Sequence, residues 1–374
     1  MSLLLAAGLT AISAGTVSSS ASSWSCAYVA ERLPRTLAIL GDDAVSAEET
    51  RAARRRLSLS EAILTRASNL ALARSLGATR LIIVRCFDQG NNTTIEAQPF
   101  DTAKPEKGDL IRVARTRAEL PSAIDQIAQR LATPAGGEAP LSFRPPSPAA
   151  LAKAGPALLR PDAYERARGL ASAMDEDPGC IELRLSAVES LIAARDFDAA
   201  VRLAGWPPVA GTPPQLVRWL RFQSGAALLE SGRYAEARTL FEGLRHELET
   251  AAVLNNLGVA LFRLRDPAAS AIFERGTFLA DHRQRDIAFN RSLTLLFEGK
   301  AAAALPFIDS SLEAAPADVR TRLLRIWALR LLDREAERTE EWERLLAAAP
   351  SFSALGTPDI ARRLERIFHS ERKP

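Results

Sequence analysis

Apolar positions along the chain follow two different rhythms: a mixture of helical spacing and strict alternation up to about residue 133, and helical spacing repeated at a nearly constant interval beyond residue 180. Tyr28, Val29, Leu33, Leu37 and Leu40 fall at helical spacing and predict a helix over 24–40, which Pro34 is expected to kink or interrupt in its second half. A short extended piece is expected after Gly41. Residues 47–57 predict a helix with Glu48 and Glu49 in its first turn, where the dipole favours anions, and its Arg51, Arg54, Arg55 and Arg56 read as a solvated face. Thr65 caps a helix running to Leu76 and terminated by Gly77. The unbroken run Leu81-Ile82-Ile83-Val84 then reads as a strand covered on both faces. A turn cluster at 88–92 leads into alternation over 93–98, so the pair forms a hairpin. Another turn at 104–109 precedes a short strand at 110–113, and a helix over 121–132 closes the unit.

The order strand, helix, strand, helix, strand, strand, strand, helix argues for a small α/β domain with a mixed sheet over residues 21–133. Upstream, the apolar run 3–14 within residues 1–20 reads either as a buried first strand or as a secretory signal that lacks the usual preceding cation. Residues 134–161 hold seven prolines and three glycines, which predicts an extended interdomain linker. The remainder, 162–374, is expected to be all helical. No stretch approaches the ~20 uninterrupted apolar residues of a membrane helix.

Leu191, Leu228, Leu261, Leu295 and Leu329 stand at intervals of 37, 33, 34 and 34. Val188, Gly225, Gly258, Ser292 and Ile326 lie three positions before them, and Ala200, Ala237, Ser270, Ala304 and Arg338 nine positions after. Small residues at two facing positions let the helices of a hairpin approach closely while the Leu fills the space between them. In the last unit Arg338 takes the small-residue place, so that hairpin must splay or the side chain must snorkel outward.

The segments Gly-Arg-Tyr-Ala-Glu-Ala-Arg-Thr-Leu-Phe (232–241) and Leu-Asn-Asn-Leu-Gly-Val-Ala-Leu (254–261) resemble tetratricopeptide repeats. The resemblance covers about 181–350 as five units, with a degenerate leading unit at 162–178 and a closing helix at 358–369. It implies an α-solenoid following the α/β domain. It also implies that the first helix of each unit lines a groove, which places Trp219, Phe222, Gln223, Asn255, Asn256, Val259, Arg263, Phe289, Asn290 and Trp327 there. Amides flanked by aromatics suit peptide capture, because Asn and Gln pair with a ligand backbone. The alternative for Trp219, Phe222 and Phe289 is that they seal the joint between neighbouring units. Thr65-Arg66-Ala67-Ser68 and the run from Ala73 to Val84 are similar to TolB amino-terminal or FlgO-like α/β domains, which implies a non-catalytic recognition or assembly module.

Charge and chemistry narrow the function. Lys+Arg 48 against Asp+Glu 45 gives +3, too small an excess for a nucleic-acid surface. His246, His282 and His369 have no second ligand at metal-binding spacing, and no phosphate loop, dinucleotide fingerprint or nucleophile elbow occurs, so neither a metal nor a cofactor is expected. Cys26, Cys86 and Cys180 lie far apart and suggest no disulfide framework; Cys86 and Cys180 read as small buried apolar residues. The expectation is a non-enzymatic scaffold that binds a protein or peptide. Its compartment is expected to be the cytoplasm, or the cell envelope if residues 1–20 are a signal, in which case an exported assembly factor is the alternative. A regulatory protein whose α/β domain binds a small ligand is the third reading.

Overall fold

A computed structural model describes residues 10–16, 24–40, 44–59, 64–103, 108–132, 144–279, 285–314, 316 and 318–350. The closing helix expected at 358–369, together with His282 and His369, lies outside the described residues. The chain divides into two compact units, residues 1–227 and 228–374.

The first unit opens with β1 (Thr10–Thr16), followed by α1 (Ser25–Ile39), α2 (Ala47–Arg56) and α3 (Arg66–Ser75). Then come β2 (Arg80–Gln89), β3 (Asn92–Asp101), β4 (Ile111–Thr116) and α4 (Leu120–Ala132). The sheet order is β1-β2-β3-β4, with β1 parallel to β2 and the other pairs antiparallel. It is therefore mixed, and the parallel step from β1 to β2 carries α1 to α3 as its crossover. Alternation along β2 and β3 turns Ile82, Val84, Cys86, Ile95 and Ala97 toward α1 and α4. Leu81 and Phe100 point the other way, toward Ala73 of α3.

The short extended piece expected after Gly41 is seen at Ala44, which bridges in parallel to Thr10. Helix α1 runs through Pro34 without interruption, Leu33 and Leu37 on either side being fully buried and holding the flanking turns in place.

The expected extended linker is partly a helix. After residue 144 come α5 (Pro148–Leu158), α6 (Ala163–Glu176), α7 (Ile181–Ala193), α8 (Phe197–Ala204) and α9 (Pro214–Glu230). Ser147 caps α5 by accepting from the Ala150 amide, and Pro148 occupies the first position, where the missing N–H leaves nothing unpaired. Proline density therefore did not forbid a helix. Helix α5 packs on α6, so the leading repeat begins at 148 and not at 162. Gly155 takes the Trp24 ring so closely that a Cβ there would stand 2.2 Å from it. One apolar core runs from Ile12 and Ile95 of the sheet through Leu33 and Ile124 to Leu151, Leu170 and Leu183.

A buried web of charge crosses the same interface. Arg32, 0 % exposed, pairs with Glu182 of α7 and at 2.8 Å with Asp125 of α4. Arg35 donates to Glu31 (2.9 Å), Glu189 (3.1 Å) and Ser186 (2.8 Å). Glu48 of α2 accepts from Arg166 of α6 at 3.0 Å. Arg51 was expected on a solvated face; instead it pairs with Glu31 and Glu48, both at 2.8 Å, because α2 lies against α1. Burial raises the Glu31 carboxyl, but Arg51 and Arg35 outweigh it and bring the group down to about 2. Burial prevails at Glu189 and pushes it up to about 7, against the pull of Arg35.

The cysteines also depart from expectation. Cys26 in the first turn of α1 and Cys86 in β2 form a disulfide, their Cα atoms 5.6 Å apart although 60 residues separate them in sequence. The sequence spacing concealed it because α1 folds back over the strand. Cys180 is free and buried, as expected for a small apolar residue, and burial pushes its thiol up to about 12.

Candidate partner-binding face of the helical repeats

The second unit continues from the last residues of α9 with α10 (Tyr234–Glu247), α11 (Ala251–Arg263), α12 (Ala268–Leu279) and α13 (Arg285–Phe297). It continues with α14 (Ala301–Ala314), α15 (Val319–Leu331) and α16 (Glu335–Ala348). The five leucines aligned by spacing lie near the ends of α7, α9, α11, α13 and α15, and each ends its helix by the same hydrogen bonds. The carbonyl of the Leu accepts from the amide five residues on: Leu191 from Asp196, Leu228 from Arg233, Leu261 from Asp266, Leu295 from Lys300 and Leu329 from Arg334. The intervening fourth residue is left-handed every time: Arg195, Gly232, Arg265, Gly299 and Asp333, with φ between 53° and 78°. This is the Schellman termination, and it turns the chain directly into the following helix.

Small residues then set the helix spacing. Gly258 lies on the Phe273 ring, a Cβ there standing 2.6 Å from Cε1. Ala200, Ala237 and Ala304 are fully buried at the second small position. In α12 the buried residue is Ala269, and Ser270 is half-buried. Arg338 stays half-buried and pairs with Glu335, so it snorkels outward. Helix α11 packs on α12 and α13, and α13 on α14 and α15, so first helices lie beside first helices.

The helical part is built of helix hairpins that recur every 33 to 37 residues and are closed by one kind of turn. No family model matches the chain, and no curated protein matches it. Among solved structures, YrrB, described as a TPR protein with an unusual peptide-binding site, is 15% identical, with 54% of this chain and 99% of that chain covered and a TM-score of 0.39. PilF of Pseudomonas aeruginosa is 17% identical, over 59% of this chain and 97% of that chain, with a TM-score of 0.44. The LpoB C-terminal domain from Salmonella enterica is 19% identical, over 29% of this chain and 83% of that chain, with a TM-score of 0.26.

The residues expected to line a groove separate by burial. In the second unit, Asn255, Asn256, Val259, Arg263 and Asn290 are half-buried on α11 and α13. Asn290 donates through Nδ2 to Asn255 Oδ1 at 2.9 Å, joining two adjacent first helices. Asn255 in turn faces Asn256 Oδ1 at 3.5 Å. Phe289 and Trp327 are corrections: both are buried, Phe289 beneath the Arg320 guanidinium at 4.4 Å and Trp327 edge-on to Phe297 at 5.2 Å. They hold neighbouring units together. In the first unit, Trp219 packs against the core that holds Leu185, Ala200 and Leu216, which is the sealing role, while Phe222 and Gln223 are half-buried.

Sequence spacing overlooked Phe262 and Phe297. Their rings lie 5.5 Å apart, and together with Trp327 they form an aromatic line across α11, α13 and α15. The signal was present as an aromatic seven positions after Asn255 and another seven after Asn290. Two helical turns return a residue to nearly the same face. The face thus combines side-chain amides, one guanidinium at Arg263 and the half-exposed edges of two phenyl rings. It can pair with a peptide backbone and cover apolar side chains. Among the described residues no His/Cys/Asp/Glu cluster suits a metal ion.

Proposed function

We propose that this protein is a non-enzymatic scaffold that holds an extended peptide segment of a partner against the first helices α11 and α13. The observation that carries the reading is the Asn290–Asn255 pair. Two half-buried amides are held in fixed register by helices whose ends are set by identical turns, which lowers the ordering needed to meet a ligand backbone. Phe262 and Phe297 supply the apolar contact beside them.

The test is a peptide-library selection against the full chain, followed by affinity measurement on the selected peptides for the chain and its Asn255→Ala/Asn290→Ala variant. Loss of amide pairing worth ~1–2 kcal/mol corresponds to roughly 5- to 30-fold weaker binding, with the far-ultraviolet circular dichroism unchanged. Equal affinity for both proteins would remove the assignment.

A further inference from the structure

The disulfide has a consequence for where this protein folds. Cys26 is 3 % exposed and Cys86 0 %, and both belong to the core that also holds Ile82, Ile95 and Ile124. A small-molecule or protein oxidant cannot reach either sulfur once α1 and α4 have closed over the sheet. Next to Cys26, Ser25 donates to Asp88 Oδ1 at 2.9 Å, so the first turn of α1 is held to the β2–β3 hairpin by a half-buried hydrogen bond as well as by the covalent link. The third cysteine does not compete. Cys180 lies in the same core cluster but stays a thiol, and the thiol form does not attack disulfides. Reducing compartments keep such pairs as dithiols, whereas oxidising ones join them.

We propose that the chain folds in an oxidising compartment, where Cys26 and Cys86 are joined by exchange with a disulfide-bearing oxidant before the core closes. One thiolate attacks the oxidant's disulfide, forming a mixed disulfide and releasing one oxidant thiolate. The second thiolate then displaces the other oxidant sulfur and completes the Cys26–Cys86 bond. Two protons and two electrons leave the protein, and the oxidant departs as a dithiol. Buried in this way, the bond is a permanent structural link and not a switch.

The test is thiol trapping of the full chain in its own cells: acid quenching, denaturation without reductant, alkylation with iodoacetamide and intact-mass measurement. One alkylated cysteine is expected, Cys180, rising to three after reduction; the Cys180→Ala variant is expected to show none before reduction and two after it. Three alkylated cysteines before reduction, or two in the Cys180→Ala chain, would overturn the proposal. As the control for exposure, alkylation of the native chain without denaturant is expected to modify no cysteine, and modification of Cys26 or Cys86 there would also overturn it.

Discussion

Gly258→Ala tests the packing rule on which the repeats depend. A Cβ at 258 would stand 2.6 Å from Phe273 Cε1 and 2.8 Å from Cδ1 and Cζ, where comfortable carbon contacts lie near ~3.5–4 Å. The ring has little room to retreat, since Phe273 is 1 % exposed. Overpacking of this kind costs about 1–3 kcal/mol. Against it stands the gain of replacing a mid-helix glycine by alanine, roughly 0.5–1 kcal/mol. At the middle of both ranges overpacking wins, leaving a net loss of about 1 kcal/mol. Because the chain has two compact units, a single melting temperature would blur the effect. Hydrogen exchange read by mass spectrometry on peptides from α11 and α12 isolates it, with protection expected to fall by about 5-fold. In a Phe273→Leu background the same alanine should be neutral or protective, since the ring edge is gone. Unchanged or increased protection in the wild-type background would refute the close-approach argument.

At Gly299 the backbone alone is at stake: φ is +74° and nothing lies within 4 Å of the place a methyl group would take, so Gly299→Ala should destabilise the second unit by about 1 kcal/mol through left-handed strain, measured by urea unfolding. Glu189 gives a dependence on pH with a definite sign. Its carboxyl is raised from 4.5 to about 7, so the folded chain keeps a proton that the unfolded chain has released. Its contribution is therefore complete below about pH 4.5 and is lost as pH rises to 7. Glu31 works in the opposite sense, its contribution present above 4.5 and lost as pH falls toward 2. Glu189→Gln should flatten the decline between pH 4.5 and 7 and stabilise the first unit by ~1–3 kcal/mol at pH 8, as measured by denaturant titration across that range; an unaltered slope would show that Glu189 does not carry the dependence.

Periodic burial made much of this molecule legible from residue order. The spacing of Leu191, Leu228, Leu261, Leu295 and Leu329 marks five helix ends because a helix exposes and buries its residues in a rhythm set by its own geometry. The turn that follows is likewise local, closed by hydrogen bonds between residues five apart. Asn256 and Asn290 each stand five positions before the aligned Leu of their helix, so that equivalence is legible in the sequence, whereas the pairing of Asn290 with Asn255 depends on how α11 and α13 pack. Other features depend on residues that are remote in sequence. Arg51 reads as solvated until α2 lies against α1 and brings Glu31 within 2.8 Å. Phe289 and Trp327 count as exposed candidates until the neighbouring helices cover them. Pro148 and Pro156 look like helix breakers until α6 gives α5 a surface to bury. Cys26 and Cys86 look unrelated until α1 returns across β2. Burial and pairing at these places are properties of the assembled core, where desolvation and approach depend on which distant segments meet.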